Sequence, residues 1–487
     1  MSNGFLLIPI FFPVICGALF FALNPKTKKA RNTFVLTSVL LNTAIMFVTI
    51  FLTNDILFTL FDFSGDLTIA LNLDGLGKIF AGLVSVLWPF TALYALEYMK
   101  KEEHIRMFYT FFLVSYGVTL GIACSGNMLT MYFFYELLTL VTLPLVIQPM
   151  TKASNRAGRA YLIYSIGGAA FAFIGLIFIL SYGSGAGFTM GGVLTNLANS
   201  HKNLLLAVYV LAFMGFGVKA AVFPLHGWLP KASVAPTPVT ALLHAVAVVK
   251  AGAFAVIRLT YYSYGIDFLK GTWAQYVVMA IVIFTILFGS SAALKQVHFK
   301  RRLAYSTVAN LSYILFGVTL MTPIGLEAGV LHMLFHSIIK IGAFFAAGAV
   351  LHSTKREYIS ELDGLGKKMP ITFGTFTVFA LALTGIPLFN GFVSKWALAS
   401  AAIQSGDTLS FIGIIVLLIS ALLTAIYMLN ISVRAFFPKK DADLTYLEGV
   451  HEVNGYMTVP MIILAIACIA LGLFSQPVVD LISSALM

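Results

Sequence analysis

The sequence predicts an all-α polytopic membrane protein with about fourteen transmembrane helices. Of its 487 residues, 60% are hydrophobic and only 10% are charged, whereas soluble domains are nearer ~50% apolar and ~25% charged. Long apolar segments recur along the whole chain, and most approach the roughly 20 residues that a membrane-spanning helix needs. This composition excludes a soluble enzyme.

The predicted spans are bounded by proline, glycine and clusters of charge. Two further apolar pieces, near 228–236 and 393–403, are too short to span, and we interpret them as second halves of interrupted helices. No low-complexity linker or inserted soluble domain divides the chain, so one helical bundle is predicted. In order, the spans lie at about 4–23, 32–53, 74–98, 107–125, 127–148, 160–182, 204–224, 237–262, 274–294, 303–321, 325–351, 371–390, 410–436 and 456–485.

The formal net charge of +11 is explained by membrane topology, which removes the need for a nucleic-acid partner. If successive loops alternate sides, 22 of the 30 lysines and arginines fall on one side. By the positive-inside rule this side is the cytoplasm, and both termini lie outside it. The residues are Lys26, Lys28, Lys29, Arg31, Lys100, Lys101, Arg106, Lys152, Arg156, Arg159, Lys231, Lys295, Lys300, Arg301, Arg302, Lys355, Arg356, Lys367, Lys368, Arg434, Lys439 and Lys440.

Several ionisable residues lie inside predicted spans, where a charge costs roughly 3 kcal/mol and commonly marks an ion pathway. Glu136 is the clearest mid-membrane carboxylate, and Lys219 and Lys250 are surrounded by apolar neighbours. Desolvation favours the uncharged form of an amine, which gives such lysines a way to exchange protons. Static ion pairs between helices are the alternative explanation. Four other carboxylates lie at span ends, where solvation is the simpler explanation: Asp74, Glu97, Glu327 and Asp480.

A polar stripe is predicted on one otherwise apolar helix. His332, His336 and Lys340 are four residues apart, so on an α-helix they cover an arc of about 80° and rise about 12 Å. Histidine titrates near neutrality and both donates and accepts hydrogen bonds, so this stripe suits a proton wire. His244 lies six residues before Lys250, on a different face, and is expected to join the wire through water.

Two helices are predicted to be broken within the membrane. Pro224 and Pro230 follow Lys219, and Pro387 precedes Lys395. A proline frees backbone carbonyls, which survive at membrane depth only where polar groups or water satisfy them. Paired interruptions in two halves of a chain indicate a transporter built from repeats.

No cofactor, metal site or catalytic site is predicted. The three cysteines, Cys16, Cys124 and Cys468, lie in apolar stretches without the spacing of a cluster or haem site. No dinucleotide-binding glycine motif stands in a strand–helix context. An oxidoreductase acting alone is therefore not expected.

Several motifs together resemble the antiporter-like subunits of respiratory complex I. The same family includes subunits of Mrp-type sodium/proton antiporters and of membrane-bound hydrogenases. Within it, Lys250 in Val-Val-Lys-Ala-Gly resembles the D-type subunit of Mrp antiporters and its complex I counterpart. The motifs are Leu73-Asp-Gly-Leu76, Lys219-Ala-Ala-Val-Phe-Pro-Leu-His-Gly-Trp-Leu-Pro230, Pro236-Thr-Pro-Val-Thr-Ala-Leu-Leu-His-Ala245, Val249-Lys-Ala-Gly252, Lys300-Arg-Arg-Leu-Ala-Tyr-Ser-Thr307 and His332-Met-Leu-Phe-His-Ser-Ile-Ile-Lys340.

The resemblance implies two inverted five-helix repeats, each with a discontinuous helix. Helices 1–3 would occupy 1–106, the repeats 107–262 (helices 4–8) and 274–436 (helices 9–13), and helix 14 would occupy 456–487. It also implies a midplane chain for ions: a Glu136–Lys219 pair, a central Lys250, distal Lys340 and Lys395, and relay histidines His244, His332 and His336.

The function implied is that of an ion-translocating subunit, for H⁺ and/or Na⁺, in a hetero-oligomeric complex of the inner (plasma) membrane. Partners would be other membrane subunits and the lipid bilayer. The main hypothesis is the D-type subunit of an Mrp antiporter or the equivalent hydrogenase subunit. A proton-pumping subunit of NADH dehydrogenase, a stand-alone solute transporter and a structural scaffold are the alternatives, and a scaffold would leave the buried ionisable groups without a use.

Overall fold

A computed structural model describes residues 3–65, 67–185, 187–195, 197–439 and 444–486, and almost all of its regular structure is helical. Lys440 and the side chain of Lys101, both counted above, lie outside this description. The described α-helices are α1 (Leu7–Leu23), α2 (Lys28–Leu52), α3 (Gly75–Tyr98), α4 (Ile105–Ala123), α5 (Met128–Val146), α6 (Lys152–Tyr182), α7 (Leu197–Ser200), α8 (Lys202–Gly217), α9 (Trp228–Lys231), α10 (Thr237–Ala245), α11 (Val248–Ile257), α12 (Ile266–Leu269), α13 (Trp273–Lys295), α14 (Phe299–Thr319), α15 (Pro323–Thr354), α16 (Leu365–Lys368), α17 (Pro370–Thr384), α18 (Asn390–Ser405), α19 (Thr408–Phe436), α20 (Gly455–Leu473) and α21 (Gln476–Leu486).

The helices confirm an all-α polytopic membrane protein. Within the described residues, eleven helical segments are long and apolar enough to cross a membrane, counting α10 and α11 with the π-helix Arg258–Tyr264 as one. Two shorter apolar helices, α8 and α17, stop at the predicted interruptions. The number fourteen stays a prediction.

The prediction of one continuous span at 456–485 is wrong. Helix α20 ends at Leu473, and a separate helix, α21, begins at Gln476. A helix continuing from α20 would lose one backbone hydrogen bond at Pro477 and place the proline ring against the carbonyl of Leu473, whereas in the first turn of α21 the missing N–H costs nothing. Helix α21 instead packs across the bundle end, where Ser483 Oγ donates to Glu327 Oε2 at 2.9 Å.

The segment predicted as one span at 237–262 is also interrupted. The N–H groups of Val246 and Ala247 both donate to Leu242 O, at 3.0 and 2.8 Å, so one extra residue bulges out between α10 and α11. Such bulges are frequent at functional sites, and this one lies directly before Lys250. The helix then continues as the π-helix Arg258–Tyr264.

A β-hairpin, which was not predicted, joins α2 to α3. Strand β1 (Phe58–Ser64) pairs antiparallel with β2 (Leu67–Leu71). Two side chains at the start of α5 form hydrogen bonds with the backbone of β2. Asn127 Nδ2 donates to Thr68 O, and Thr130 Oγ1 accepts from Ala70 N, both at 2.8 Å. The hairpin is thereby held against the start of α5.

A buried ion pair ties α3 to the π-helix. The Arg258 guanidinium donates to both oxygens of Asp74 at 2.5 and 2.6 Å, and Asp74 also caps α3 by accepting from Gly77 N at 2.9 Å. Arg258 is 1% exposed. Asp74 therefore has a charged protein partner. The explanation expected from the sequence, that solvent stabilises a carboxylate at the end of a span, is not needed for Asp74.

Candidate ion-translocation site

The first break places an amine beside a carboxylate. Helix α8 ends at Gly217, and Lys219 lies in the turn that follows, with its Nζ 3.7 Å from Glu136 Oε1 on α5. The same amine donates to Tyr135 O and lies 3.4 Å from the centroid of the Tyr135 ring. Lys219 is 1% exposed and the Glu136 side chain 25%. The structure therefore joins the predicted Glu136–Lys219 pair. Of the prolines predicted to break this helix, Pro224 lies in the interruption and Pro230 in α9.

The predicted central lysine contacts the histidine stripe directly. Lys250 Nζ, on α11, lies 2.6 Å from His336 Nδ1 on α15. One turn away, the ring of His332 has its centroid 5.8 Å from that of His336, and His332 Nδ1 lies 2.9 Å from Ser394 Oγ. All four side chains are buried. The result is a contiguous polar row from α11 through α15 to α18.

The two distal lysines bind backbone carbonyls. Lys340 turns towards α14, where it donates to Leu303 O at 3.1 Å and also to Ser306 Oγ. Lys395 Nζ donates to Leu383 O at 2.7 Å and Thr384 O at 3.0 Å. Because α17 ends at Thr384 and Pro387 lies in the break, these carbonyls lack their usual helical donors. The lysine thus satisfies the carbonyls that the second break frees.

His244 makes no hydrogen bond to the other predicted ion-translocation residues in the described part of the chain. It is fully buried, its ring packs 4.7 Å from the Phe344 ring, and neither nitrogen has a hydrogen-bond partner in the described part of the chain. A link from His244 through water therefore stays a prediction.

A glycine brings the first break against the helix of the central lysine. A Cβ on Gly252 would lie 2.4 Å from Ala220 N and 2.9 Å from Lys219 Cβ. The absence of a side chain at Gly252 therefore lets α11 touch the backbone of the Lys219 turn, two residues from Lys250. The Lys219 turn and α11 are therefore in direct contact.

Four residues of the site were not singled out from the sequence. Tyr135 lies under Lys219, Ser306 binds Lys340, and Ser394 binds His332. The Tyr313 ring bridges two predicted members, with its centroid 5.3 Å from the His332 centroid and 5.2 Å from Lys395 Nζ. Two of them had a signal in the sequence: Ser394 is a polar residue next to Lys395, and Ser306 lies within the Lys300–Thr307 motif.

The charges of the site favour incomplete protonation. Of its four lysines (Lys219, Lys250 and Lys340, which are buried, and Lys395, which is half-buried), only Lys219 has a described carboxylate, Glu136, within salt-bridge distance. Burying an ammonium without a counter-ion costs several kcal/mol. The site as a whole is therefore suited to hold fewer protons than it has basic groups, which is the condition for passing protons on. Within the described residues, no three His, Cys, Asp or Glu side chains cluster as a metal site would require.

A polar pocket of about 250 Å³ lies at the predicted cytoplasmic edge, beside the start of α10. Ser233, His298, Lys300 and Glu357 line it, and Lys300 Nζ reaches inward to donate to Ala235 O at 3.0 Å. The hydrogen bond from His298 Nε2, 3.1 Å from Glu357 Oε2, lowers the pKa of Glu357 from its ordinary value. Partial burial opposes that shift, and the charges of His298, Lys300 and Arg301 add to it.

Glu357 gives a testable pH dependence of stability. A carboxyl whose pKa is lower in the folded state stabilises the fold above the unfolded pKa, and the contribution is lost as pH falls through the folded pKa. We expect Glu357→Gln to lower the unfolding temperature at pH 7, and the difference from wild type to disappear at acid pH. Thermal unfolding across pH 7 to 3 checks this, with exposed Glu448→Gln as control. A constant difference at every pH would contradict it.

Comparison with known proteins identifies the family. The family model described as "NADH:quinone oxidoreductase/Mrp antiporter, TM" matches residues 125–425. The chain belongs to this family. The relationship inferred from the motifs is thereby confirmed, and the matched residues include both breaks and all the predicted ion-translocation residues.

Relatives in the NADH:quinone oxidoreductase/Mrp antiporter family include both antiporter and dehydrogenase subunits. The chain is 33% identical to the A/B component of a probable K(+)/H(+) antiporter of Rhizobium meliloti, over 84% of this chain but only 40% of that protein. It is 33% identical to the N component of the NADH-quinone oxidoreductase of Desulforudis audaxviator, over 82% of both chains. A solved chain of the membrane-bound sulfane sulfur reductase, an archaeal respiratory membrane complex, superposes with a TM-score of 0.85 at 25% identity, covering 99% of this chain and 97% of that one.

Proposed function

We propose that the chain is the ion-translocating subunit of a multi-subunit membrane complex and moves H⁺, Na⁺ or both. The observation that carries the proposal is the buried contact of Lys250 with His336, continued by His332 and Ser394. A static ion pair would need a carboxylate opposite Lys250, and the structure places a titratable imidazole there. The D-type subunit of an Mrp antiporter, or its hydrogenase counterpart, is the main form of the proposal.

The proposed mechanism is electrostatic. A shift of Lys219 relative to Glu136 changes the field at Lys250 and therefore its affinity for a proton. The Lys250 ammonium then gives its proton to His336 Nδ1, which lies at 2.6 Å, within direct transfer range. His336 releases a proton from Nε2, which has no partner in the described part of the chain, and His332 passes it towards Lys395. Lys250 is left neutral and is reloaded from the cytoplasmic side.

The reloading route is proposed to begin at the polar pocket lined by Glu357 and Lys300. Ser233, which lines the pocket, lies in the short 3-10 helix (Ala232–Val234) that precedes α10, and His244 lies near the end of α10. Ser233 Oγ and both His244 nitrogens are buried without described partners. We therefore assign His244 to the inward path between the pocket and Lys250.

The domain and membrane assignments form part of the same proposal. Helices 1–3 occupy 1–106, the two repeats occupy 107–262 and 274–436, and the last segment is 456–487. The breaks after α8 and α17 support this division, because each falls in the fourth long helix of its proposed repeat. We place the protein in the plasma membrane with both termini outside the cytoplasm, among other membrane subunits.

A proton-pumping subunit of an NADH dehydrogenase is the second candidate. The relative from NADH-quinone oxidoreductase favours it, since the alignment covers 82% of both chains. In that case the same row would be driven by a redox arm on other subunits, with no opposing ion gradient.

Purification separates the two candidates. The tagged chain is isolated in mild detergent, its companions are identified by mass spectrometry, and iron is measured. Iron together with NADH dehydrogenase subunits would establish the second candidate. Hydrogenase subunits with iron, or small hydrophobic subunits without iron, would establish the two forms of the main proposal. The complex is then placed in vesicles, where Na⁺- or K⁺-dependent proton movement is followed with a pH-sensitive dye. A chain that purifies alone and moves no ion would overturn the proposal.

A further inference from the structure

An apolar groove of about 650 Å³ runs between α1 and α2 on the outside of the bundle. Its walls are mainly Phe12, Cys16, Leu19, Phe34 and Leu41. Leu19 and Leu41 are 47% and 50% exposed, so the groove opens towards the surroundings of the bundle. The volume lies within the roughly 300–1,000 Å³ of typical small-molecule sites.

One end of the groove is cationic. Thr27, Lys29 and Ala30 line it there, at the N-terminus of the 25-residue helix α2. A helix N-terminus favours anions through its free N–H groups and its dipole. Lys28 Nζ forms a salt bridge with Glu97 Oε2 at 3.8 Å, but no described carboxylate lies within salt-bridge distance of Lys29. The Lys29 charge is therefore available to a ligand.

The combination of charge and shape selects the class of ligand. A single molecule that fills the groove must carry a long apolar chain at one end and an anionic group at the other. Basic pockets between transmembrane helices on the cytoplasmic side characteristically bind anionic lipid head groups. The groove also opens sideways into the hydrocarbon region, from which a lipid enters without crossing water.

We propose that this groove is a binding site for an anionic glycerophospholipid. The phosphate lies against Lys29 and the start of α2, and one acyl chain follows Phe12, Cys16 and Leu19 down the groove. The site is separate from the ion row, and the proposal does not depend on the transport function.

Lipid retention tests the head-group end. The full chain is purified in detergent with phosphatidylglycerol or phosphatidylcholine of identical acyl chains, and bound lipid is counted by native mass spectrometry. We expect wild type to retain phosphatidylglycerol preferentially, and Lys29→Gln to reduce its affinity about fivefold, as for one basic residue at a membrane surface. Lys152→Gln is the matched control, since Lys152 is exposed at the start of another long helix, α6.

Groove filling tests the acyl-chain end. Thr33 lines the groove from an exposed position on α2, so Thr33→Phe fills the groove with little risk to the fold. We expect it to reduce retention of phosphatidylglycerol. Cys16 supplies a second readout, because it is 7% exposed while Cys124 and Cys468 are 0% exposed. Phosphatidylglycerol should slow maleimide labelling of Cys16 more than phosphatidylcholine does.

Three results would overturn the proposal. One is equal retention of the two lipids by the wild type. Another is an equal effect of Lys29→Gln and Lys152→Gln. The third is a companion subunit that cross-links to a photoreactive residue at position 33 in the purified complex, since a protein would then occupy the groove.

Discussion

Replacing Lys250 by methionine is expected to abolish coupled ion transport while leaving the protein about as stable as the wild type, or more stable. Burying the Lys250 ammonium costs several kcal/mol of folding free energy, so removing it stabilises the protein by that amount. This gain outweighs the cost of roughly 1–3 kcal/mol for leaving His336 Nδ1 without its hydrogen-bond partner. Methionine has a similar length and no proton to exchange. Transport should therefore fall at least tenfold, which is about 1.4 kcal/mol in the barrier.

Transport in vesicles that carry the whole complex, together with thermal unfolding of the purified protein, measures both effects. Lys202→Met is the control, because Lys202 is an exposed lysine at the start of α8 and outside the row. Lys250→Arg adds a second variant, since arginine keeps the charge and does not release its proton. We expect it to be inactive as well. Wild-type transport rates in Lys250→Met would refute the mechanism.

Gly252→Ala is expected to disrupt the contact between the Lys219 turn and α11, the helix that carries Lys250. The new Cβ would meet Ala220 N at 2.4 Å, and backbone atoms cannot rotate away as a side chain can. The Lys219 turn must therefore move, which separates Lys219 from Glu136. We expect a loss of about 1–3 kcal/mol in unfolding free energy, as in other overpacked sites, and a loss of coupled transport at temperatures where the variant stays folded.

A second glycine gives the matched control. Gly374 lies within α17, and a Cβ there would have no atom within 4 Å. Gly374→Ala should leave transport unchanged and stabilise the helix by up to about 1 kcal/mol. Unfolding free energies and transport rates of the two variants are compared in the same membrane preparation. If Gly252→Ala behaves like Gly374→Ala, the contact between α11 and the Lys219 turn has no part in coupling.

The sequence by itself determined the class of fold, the two breaks and the ionisable residues of the site. These are local properties. An apolar run long enough to cross a membrane predicts a helix wherever it lies in the chain, and a proline such as Pro224 or Pro387 removes a backbone hydrogen-bond donor. A lysine among apolar neighbours can be recognised from the sequence as a candidate buried charge. The periodicity of His332, His336 and Lys340 likewise needs only the pitch of one helix.

The tertiary structure alone decided which of these groups touch. Lys250 and His336 are 86 residues apart, and nothing in either segment indicates a distance of 2.6 Å. The same holds for the pairing of Asp74 with Arg258, the contact of His332 with Ser394, and the packing of His244 against Phe344 with no hydrogen-bond partner among the described residues. Small residues such as Gly252 set how closely the helices approach. Their effect depends on the surface of the neighbouring helix, which no local pattern contains.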